Sequence, residues 1–330
     1  MTGTPPAAAS RPDILRVGTR GSALAVAQTQ LVADALATAL GGIPVEIVRV
    51  TTHGDVSRAS LASLGGTGVF ATALRDALRE GRCDVIVHSF KDLPTAPATG
   101  LTVGAVPRRE DARDVVVARG GGLDTLPAGA RVGTGSPRRA AQVQAARPDV
   151  EVVDIRGNVD SRLARLHASG DERLDAVVLA AAGLARLGRT DVAAHPMDLD
   201  AWPTAPAQGA LAVEVRADDA SAGPLAEALH RVDDPVSAAL AAAERGVLAG
   251  LQAGCSAPVG ATARFETGAL TLTAAVYALD GSRRVEASHT RPVADGSALA
   301  EVADDAARWV VAQLLQGGAG ELAPFPEATA

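Results

Sequence analysis

From residue 14 to about residue 215, short runs of β-branched residues alternate with longer Ala/Leu-rich stretches in which apolar positions recur at helical spacing. That alternation is the pattern of strands and covering helices in a mainly parallel α/β sheet. It predicts strands at 14–18, 45–50, 84–88, 115–118, 131–133, 152–155 and 176–179, and helices at 22–40, 68–80, 137–146 and 159–168. After about Ala217 the pattern changes to two Ala-rich helices, strands near 259–265, 270–278 and 284–289, and a closing helix from Ser297 to about Leu315. This second pattern predicts a smaller C-terminal α+β domain.

An internal echo bears on the first region. Arg16-Val17-Gly18-Thr19-Arg20-Gly21-Ser22 returns as Arg131-Val132-Gly133-Thr134-Gly135-Ser136-Pro137, each time closing a strand and opening a helix. The echo fits two related α/β halves, or a chance match in a chain rich in Gly and Arg. Between two such halves, ligands bind in the cleft at the strand C-terminal ends.

A chain of 330 residues exceeds what one core usually supports, so two or three domains are expected. The net charge of −7 argues against nonspecific nucleic-acid or anionic-membrane partners, and any anion site must be local. With only 2% aromatic residues, neither base stacking nor an aromatic-lined lipid site is suggested. Cys83 and Cys255 offer neither a disulfide framework nor metal-ligand spacing, so no metal is expected and a reducing cytoplasm fits. No apolar run approaches the roughly 18 residues that span a bilayer. Residues 1–12, rich in Pro and Ala, lack the apolar run of an export signal and are read as a disordered tail.

Among 31 Lys and Arg residues there is one lysine, Lys91. A compositional bias toward arginine explains that as well as any function does, but it makes the position of the lysine informative. The helix predicted after Ser136 has a hydroxyl N-cap, Pro137 first, and Arg138 and Arg139 in its first turn. Cations are unfavourable at a helix N-terminus, whose free N–H groups are already positive, unless an anion joins them. Two readings stand: a bound anion, or two solvated arginines. Arg156 before the N-cap Asn158, Arg162 one turn later, and Arg20 before Ser22 repeat the theme; Arg186 is a further contributor or a surface charge. Several arginines at strand-to-helix junctions suggest many carboxylates rather than one phosphate, since the planar guanidinium binds carboxylate bidentately.

The strand at 84–88 runs into Ser89-Phe90-Lys91-Asp92-Leu93-Pro94, bringing the lysine and a carboxylate to the same face. A carboxylate surrounded by cations is favoured in its charged form, which suits one at this position to stabilising a cationic intermediate or relaying a proton. Cys255 sits in a small-residue loop, Gly254-Cys255-Ser256-Ala257-Pro258, where a thiolate could be approached, although free cysteines are more often buried hydrophobes.

Taken in order, Arg16–Ser22 (RVGTRGS), His88–Pro94 (HSFKDLP), Gly133–Arg139 (GTGSPRR), Arg156–Asn158 (RGN), Ala182–Gly188 (AGLARLG), Ala207–Ala210 (AQGA), Ala243–Arg245 (AER) and Ala253–Cys255 (AGC) resemble the porphobilinogen deaminase (hydroxymethylbilane synthase) family. The resemblance implies two α/β domains similar to type II periplasmic binding proteins, plus the smaller α+β domain. The division is then 13–107 with 205–225, 108–204, and 226–330. It also implies a dipyrromethane cofactor held by a thioether at Cys255, as a permanent primer rather than a turnover nucleophile. Porphobilinogen would lose ammonia, four units would be joined head to tail on the primer, and water would release hydroxymethylbilane for tetrapyrrole biosynthesis. Each pyrrole carries an acetate and a propionate, which gives the arginines a reason. By motif match, Asp92 would contact pyrrole N–H groups and stabilise cationic intermediates. Arg20, Ser22, Gln28, Lys91, Thr134, Ser136, Arg138, Arg139, Arg156, Arg162, Arg186 and Gln208 would hold cofactor and substrate. The enzyme would be a cytoplasmic monomer.

The chain departs from the family pattern at His53, Ser63 and Thr67, where basic residues are common, so the Gly-rich stretch 53–68, read as a lid, would carry fewer charges. Two rivals use the same cleft: a non-catalytic two-domain small-anion binding protein or sensor, and a phosphoryl- or ribosyl-transferase. The expected lack of export and Cys255 count against the first, and the absence of a phosphate loop against the second.

Overall fold

The computed structural model describes residues 13–51, 71–189, 191–254, 257–293 and 298–323. The tail at 1–12, His53, Ser63, Thr67 and Cys255 lie outside the described residues. In chain order the strands are β1 (Leu15–Thr19), β2 (Val45–Arg49), β3 (Val85–Ser89), β4 (Leu101–Ala105), β5 (Asp114–Ala118), β6 (Arg131–Thr134), β7 (Glu151–Asp154), β8 (Ala176–Ala180), β9 (Ala194–Pro196), β10 (Leu211–Arg216), β11 (Val259–Glu266), β12 (Ala269–Tyr277) and β13 (Arg284–Pro292). They form two five-stranded sheets, ordered β2-β1-β3-β10-β4 and β7-β6-β8-β5-β9, and a three-stranded antiparallel sheet, β11-β12-β13.

The two larger sheets share one order. In each, three parallel strands meet a single antiparallel strand in the fourth slot: β10 in the first and β5 in the second. Each of these strands begins just after the chain has crossed from one sheet to the other. The crossovers, 106–113 and 197–210, lie side by side, with Arg109 Nε donating to Gln208 O at 2.7 Å and Glu110 N to Gly209 O at 3.2 Å. Gly209 has φ +86°, and a Cβ there would lie 2.4 Å from Glu110 O, so backbone approaches backbone where only glycine fits.

The sequence echo falls on β1 and β6, which hold the same slot. Ser22 caps α1 (Ala23–Ala39) by accepting from Ala25 N. After α2 (Thr72–Arg79), Ser136 caps α3 (Pro137–Ala146) by accepting from Arg139 N. The paired glycines have one purpose: a Cβ on Gly18 would sit 2.7 Å from Ile86, and one on Gly133 2.5 Å from Leu174, so each lets a neighbour pack onto the strand.

The remaining helices are α4 (Val159–Ala164), α5 (Ala181–Arg186), α6 (Ala217–Ser221), α7 (Pro224–Val232), α8 (Pro235–Gly250), α9 (Leu299–Gln316) and α10 (Ala319–Leu322). The helix expected over 159–168 ends at Ala164 and tightens into a 3₁₀ turn, Arg165–His167. The sequence pattern missed β4, β9 and β10. β9 has three residues, and β10 carries the charged Glu214 in its middle, which breaks the apolar run.

One expected boundary moves. The third domain was to start at 226, but Leu225, Ala228, Leu229 and Val232 of α7 pack into the first core with Leu15, Val32 and Val213. The third unit therefore starts with α8. Its sheet is backed by α8 and α9 around Val247, Leu248, Leu270, Leu272, Val310 and Leu314. It docks on the second crossover, where Ala261 N donates to Thr204 O at 2.8 Å, and on α3, where Ala141 meets Ala275 and Tyr277.

Candidate active site

At the C-terminal end of β3 the chain makes one 3₁₀ turn, Phe90–Asp92, and so turns Lys91 and Asp92 out of the sheet. Asp92 is exposed and Lys91 and Arg20 are half-buried. Arg20, Gln28, His88, Ser89 and Asp92 line one small cavity, and Ser89 Oγ donates to Gln28 Oε1 at 2.9 Å. Three of the expected residues, Arg20, Gln28 and Asp92, line this cavity; Ser22 follows Arg20 by two residues in sequence and Lys91 directly precedes Asp92.

On the opposite sheet the helix-start arginines behave differently from either sequence reading. Arg138 and Arg139 are buried, and the anion that joins them is the protein's own Asp114, the first residue of β5 and fully buried. Arg138 Nη1 donates to Asp114 Oδ2 at 2.8 Å and Arg139 Nη2 to Oδ1 at 2.6 Å; Trp202 Nε1 (3.0 Å) and Gln208 Nε2 (2.8 Å) complete its shell. Burial alone would push the Asp114 carboxyl up, but the two guanidiniums overcome it and hold the group well below the ordinary carboxylate range. Arg138 also reaches Gln142 and the Pro203 carbonyl, yet its Nε is buried without a hydrogen-bond partner.

Gln208 joins the halves. Its Oε1 accepts from Lys91 Nζ and from Arg139 Nη2, each at 3.2 Å, while its amide nitrogen donates to Asp114 and to the Ala112 carbonyl. Lys91 from the first sheet, Arg139 from the second and Gln208 from the crossover are therefore one connected cluster. Burial and the charge of Arg139 lower the Lys91 ammonium to about 8.

The other arginines carry less compensation. Arg162 is lowered by burial and then by the charges of Arg139 and Arg156, with Asp154 opposing that repulsion. Arg156 is exposed and reaches Asp154 at 3.5 Å; Arg162 Nε donates to the Gly157 carbonyl at 3.0 Å. Arg186 donates to Gly209 O at 2.6 Å, beside Gln208, and is lowered chiefly by burial. Thr134 is buried, its Oγ1 accepting from Ser136 N at 3.2 Å, so both hydroxyls shape the start of α3. A set in which cations outnumber carboxylates and repel one another fits a polycarboxylated ligand, such as a linked pair of pyrroles bearing acids.

The sequence reading missed three buried carboxylates: Asp114, Glu214 and Glu244. Glu214 takes Arg75 at 2.9 Å and lies 3.1 Å from His88 Nε2, and Glu244 pairs with Arg109. Glu214 and Glu244 each interrupt an apolar stretch, Glu244 within the AER motif, whereas Asp114 only precedes the apolar run Val115–Ala118. Among the described residues no group of His, Cys, Asp and Glu could hold a metal ion, and no helix is long and apolar enough to cross a membrane.

Residues 15–223 match the family model described as "Porphobilinogen deaminase, dipyromethane cofactor binding domain", and residues 238–304 match "Porphobilinogen deaminase, C-terminal domain". The chain is 61% identical over 319 residues to the porphobilinogen deaminase of Leifsonia xyli subsp. xyli, covering 96% of both. It is 53% identical to that of Cutibacterium acnes (82% of this chain, 85% of the other) and 52% identical to porphobilinogen deaminase 1 of Streptomyces coelicolor (93% and 96%). A solved periplasmic substrate-binding protein of an ABC transporter from Coxiella burnetii is 17% identical, with a TM-score of 0.40 over 70% of this chain and 96% of that one. Two family models in sequence across most of the chain, and relatives matched over nearly their whole length, agree with the motif order and the cationic cleft: the chain belongs to the porphobilinogen deaminase family.

Proposed function

We propose that the cleft between the two five-stranded sheets is where porphobilinogen is deaminated and condensed, with Asp92 as the catalytic carboxylate and the surrounding cations as the hold on acetate and propionate groups. The observation that carries this reading is the imbalance of charge: Arg156, Arg162, Arg186 and Lys91 crowd the cleft, and Asp92 stands as an exposed acid on its rim next to Arg20.

The dipyrromethane cofactor, when bound through a thioether at Cys255, supplies the pyrrole carbon on which four substrate units are assembled before hydrolysis releases hydroxymethylbilane. Arg20, Ser22, Gln28, Lys91, Thr134, Ser136, Arg138, Arg139, Arg156, Arg162, Arg186 and Gln208 would hold cofactor and substrate. Within that set the tasks divide by exposure. Arg156, Arg162 and Arg186 have donors left for carboxylates, each charge-assisted bond worth about 1.5–3 kcal/mol. Arg138, Thr134 and Gln208 are buried and act by fixing their neighbours. Asp92 accepts from pyrrole N–H groups and stabilises the positive charge that develops as ammonia departs from porphobilinogen, with a proton for the amine as its second duty. The enzyme works as a cytoplasmic monomer with no nucleic-acid or membrane partner.

Intact-protein mass spectrometry with peptide mapping tests the reading. A dipyrromethane adduct on Cys255 is expected, and a ladder of one-pyrrole increments after brief exposure to porphobilinogen. An unmodified Cys255 in active protein sinks it. Asp92→Ala is expected to nearly abolish turnover while the thermal transition stays put, because the side chain is exposed; near-normal turnover removes Asp92 from its role.

A further inference from the structure

The turn that carries Lys91 and Asp92 is held from outside its own sheet. Arg245, on α8 of the third unit, donates from Nη1 to the carbonyl oxygens of Phe90 (3.1 Å) and Leu93 (2.7 Å), and from Nη2 to that of Pro94 (2.7 Å). Its guanidinium also lies over the Phe90 ring, 4.4 Å from the centroid. Three carbonyls in a five-residue turn are thus gathered by one planar fork, a geometry that lysine cannot reproduce. The preceding residue does the same for the crossovers. Glu244, fully buried, takes both terminal nitrogens of Arg109 at 2.8 Å and accepts from Ala207 N at 2.6 Å and Ala263 N at 2.7 Å. α8 ends at Gly250, and residues 251–254 lead straight to Cys255.

We infer that Arg245 is a positioning residue: it latches the Phe90–Pro94 turn to the third unit, so that Asp92 keeps register with the segment leading to the tether cysteine rather than moving with the first sheet. The inference rests on Asp92 being the catalytic carboxylate. The turn is also held by Phe90 N donating to Ala210 O at 3.0 Å, by Leu93 N donating to Phe90 O at 3.2 Å and by the buried Phe90 and Leu93 side chains. It is the fork of Arg245, however, that ties its carbonyls to α8 of the third unit. A misplacement of about 1 Å at a reacting group costs on the order of 100-fold in rate.

The test compares the full chain carrying cofactor with Arg245→Gln, Arg245→Lys and Asp92→Ala, by steady-state kinetics, thermal unfolding and amide hydrogen exchange. Arg245→Gln is expected to lose about 100-fold in kcat with KM changed less than about three-fold, and to exchange the Leu93 amide and its neighbours faster while the strand amides of β1 and β3 keep their protection. Arg245→Lys, which keeps the charge and the ring contact but not the fork, should fall between the two and carries the test if the glutamine variant does not fold. Unchanged kcat with unchanged exchange in the turn overturns the latch. So does a loss of protection spread evenly over the first sheet, which would make Arg245 a general stabiliser. If Asp92→Ala keeps its turnover while Arg245→Gln still loosens the turn, the latch stands and the assignment of Asp92 fails instead.

Discussion

Replacing Asp114 by Asn tests whether the buried cluster between the sheets is held by charge. The substitution keeps the shape and removes the one carboxylate that compensates Arg138 and Arg139, both nearly inaccessible to water. Removing one partner of a buried ion pair costs about 3–5 kcal/mol, because a charge is left uncompensated. Here two guanidiniums are left so, and the Asn amide nitrogen must face one of the four donating groups, Arg138, Arg139, Trp202 or Gln208. An unsatisfied buried donor adds about 1–3 kcal/mol, so the lower range of about 3–5 kcal/mol is a floor. At about 2–4 °C per kcal/mol for domains of this size, thermal unfolding should drop by about 6–20 °C. The pH dependence gives an independent sign. A carboxyl held far below its unfolded value near 3.9 contributes stability that is complete above about pH 4 and is lost as pH falls toward the folded value. The wild type should therefore lose its advantage below about pH 4, and the gap between the proteins should narrow there. Urea unfolding at a series of pH values from 7 to 3 measures both. A difference under about 1 kcal/mol at pH 7, or a gap that does not narrow between about pH 4 and pH 3, refutes the claim that charge holds the cluster.

Lys91, lowered to about 8, should lose its charge in the free enzyme as pH rises through that value, so kcat/KM for porphobilinogen should fall on the alkaline side. Lys91→Arg should remove that limb, as guanidinium stays charged, and an unchanged alkaline limb would assign it to another group. Gly209→Ala puts a Cβ against Glu110 O at a φ of +86°, and is expected to cost about 1–3 kcal/mol by urea unfolding. Glu244→Gln should destabilise by about 3–5 kcal/mol by removing the buried partner of Arg109; full stability would mean that the crossovers do not depend on it.

Local pattern determined a great deal. Ten strands, the two capped helix starts after Ser22 and Ser136, and the repeat that occupies equivalent slots in the two sheets were legible, because each depends on near neighbours in the chain. So was the family, through motif order. What the tertiary structure alone decided is partnership. The sequence shows two arginines at a helix start, but not that Asp114, 24 residues before Arg138, neutralises them, nor that Gln208 bridges Lys91 to Arg139. It shows the AER motif, but not that Glu244 grips one crossover and Arg245 the turn of Asp92. An ion's counter-charge, and hence whether a cation is spent inside the protein or left for a ligand, is set by distances across sheets that local periodicity does not encode. α7 makes the same point for packing: its apolar face could dock on either neighbour, and only the first core, closed by β10 returning from the second sheet, decided where it went.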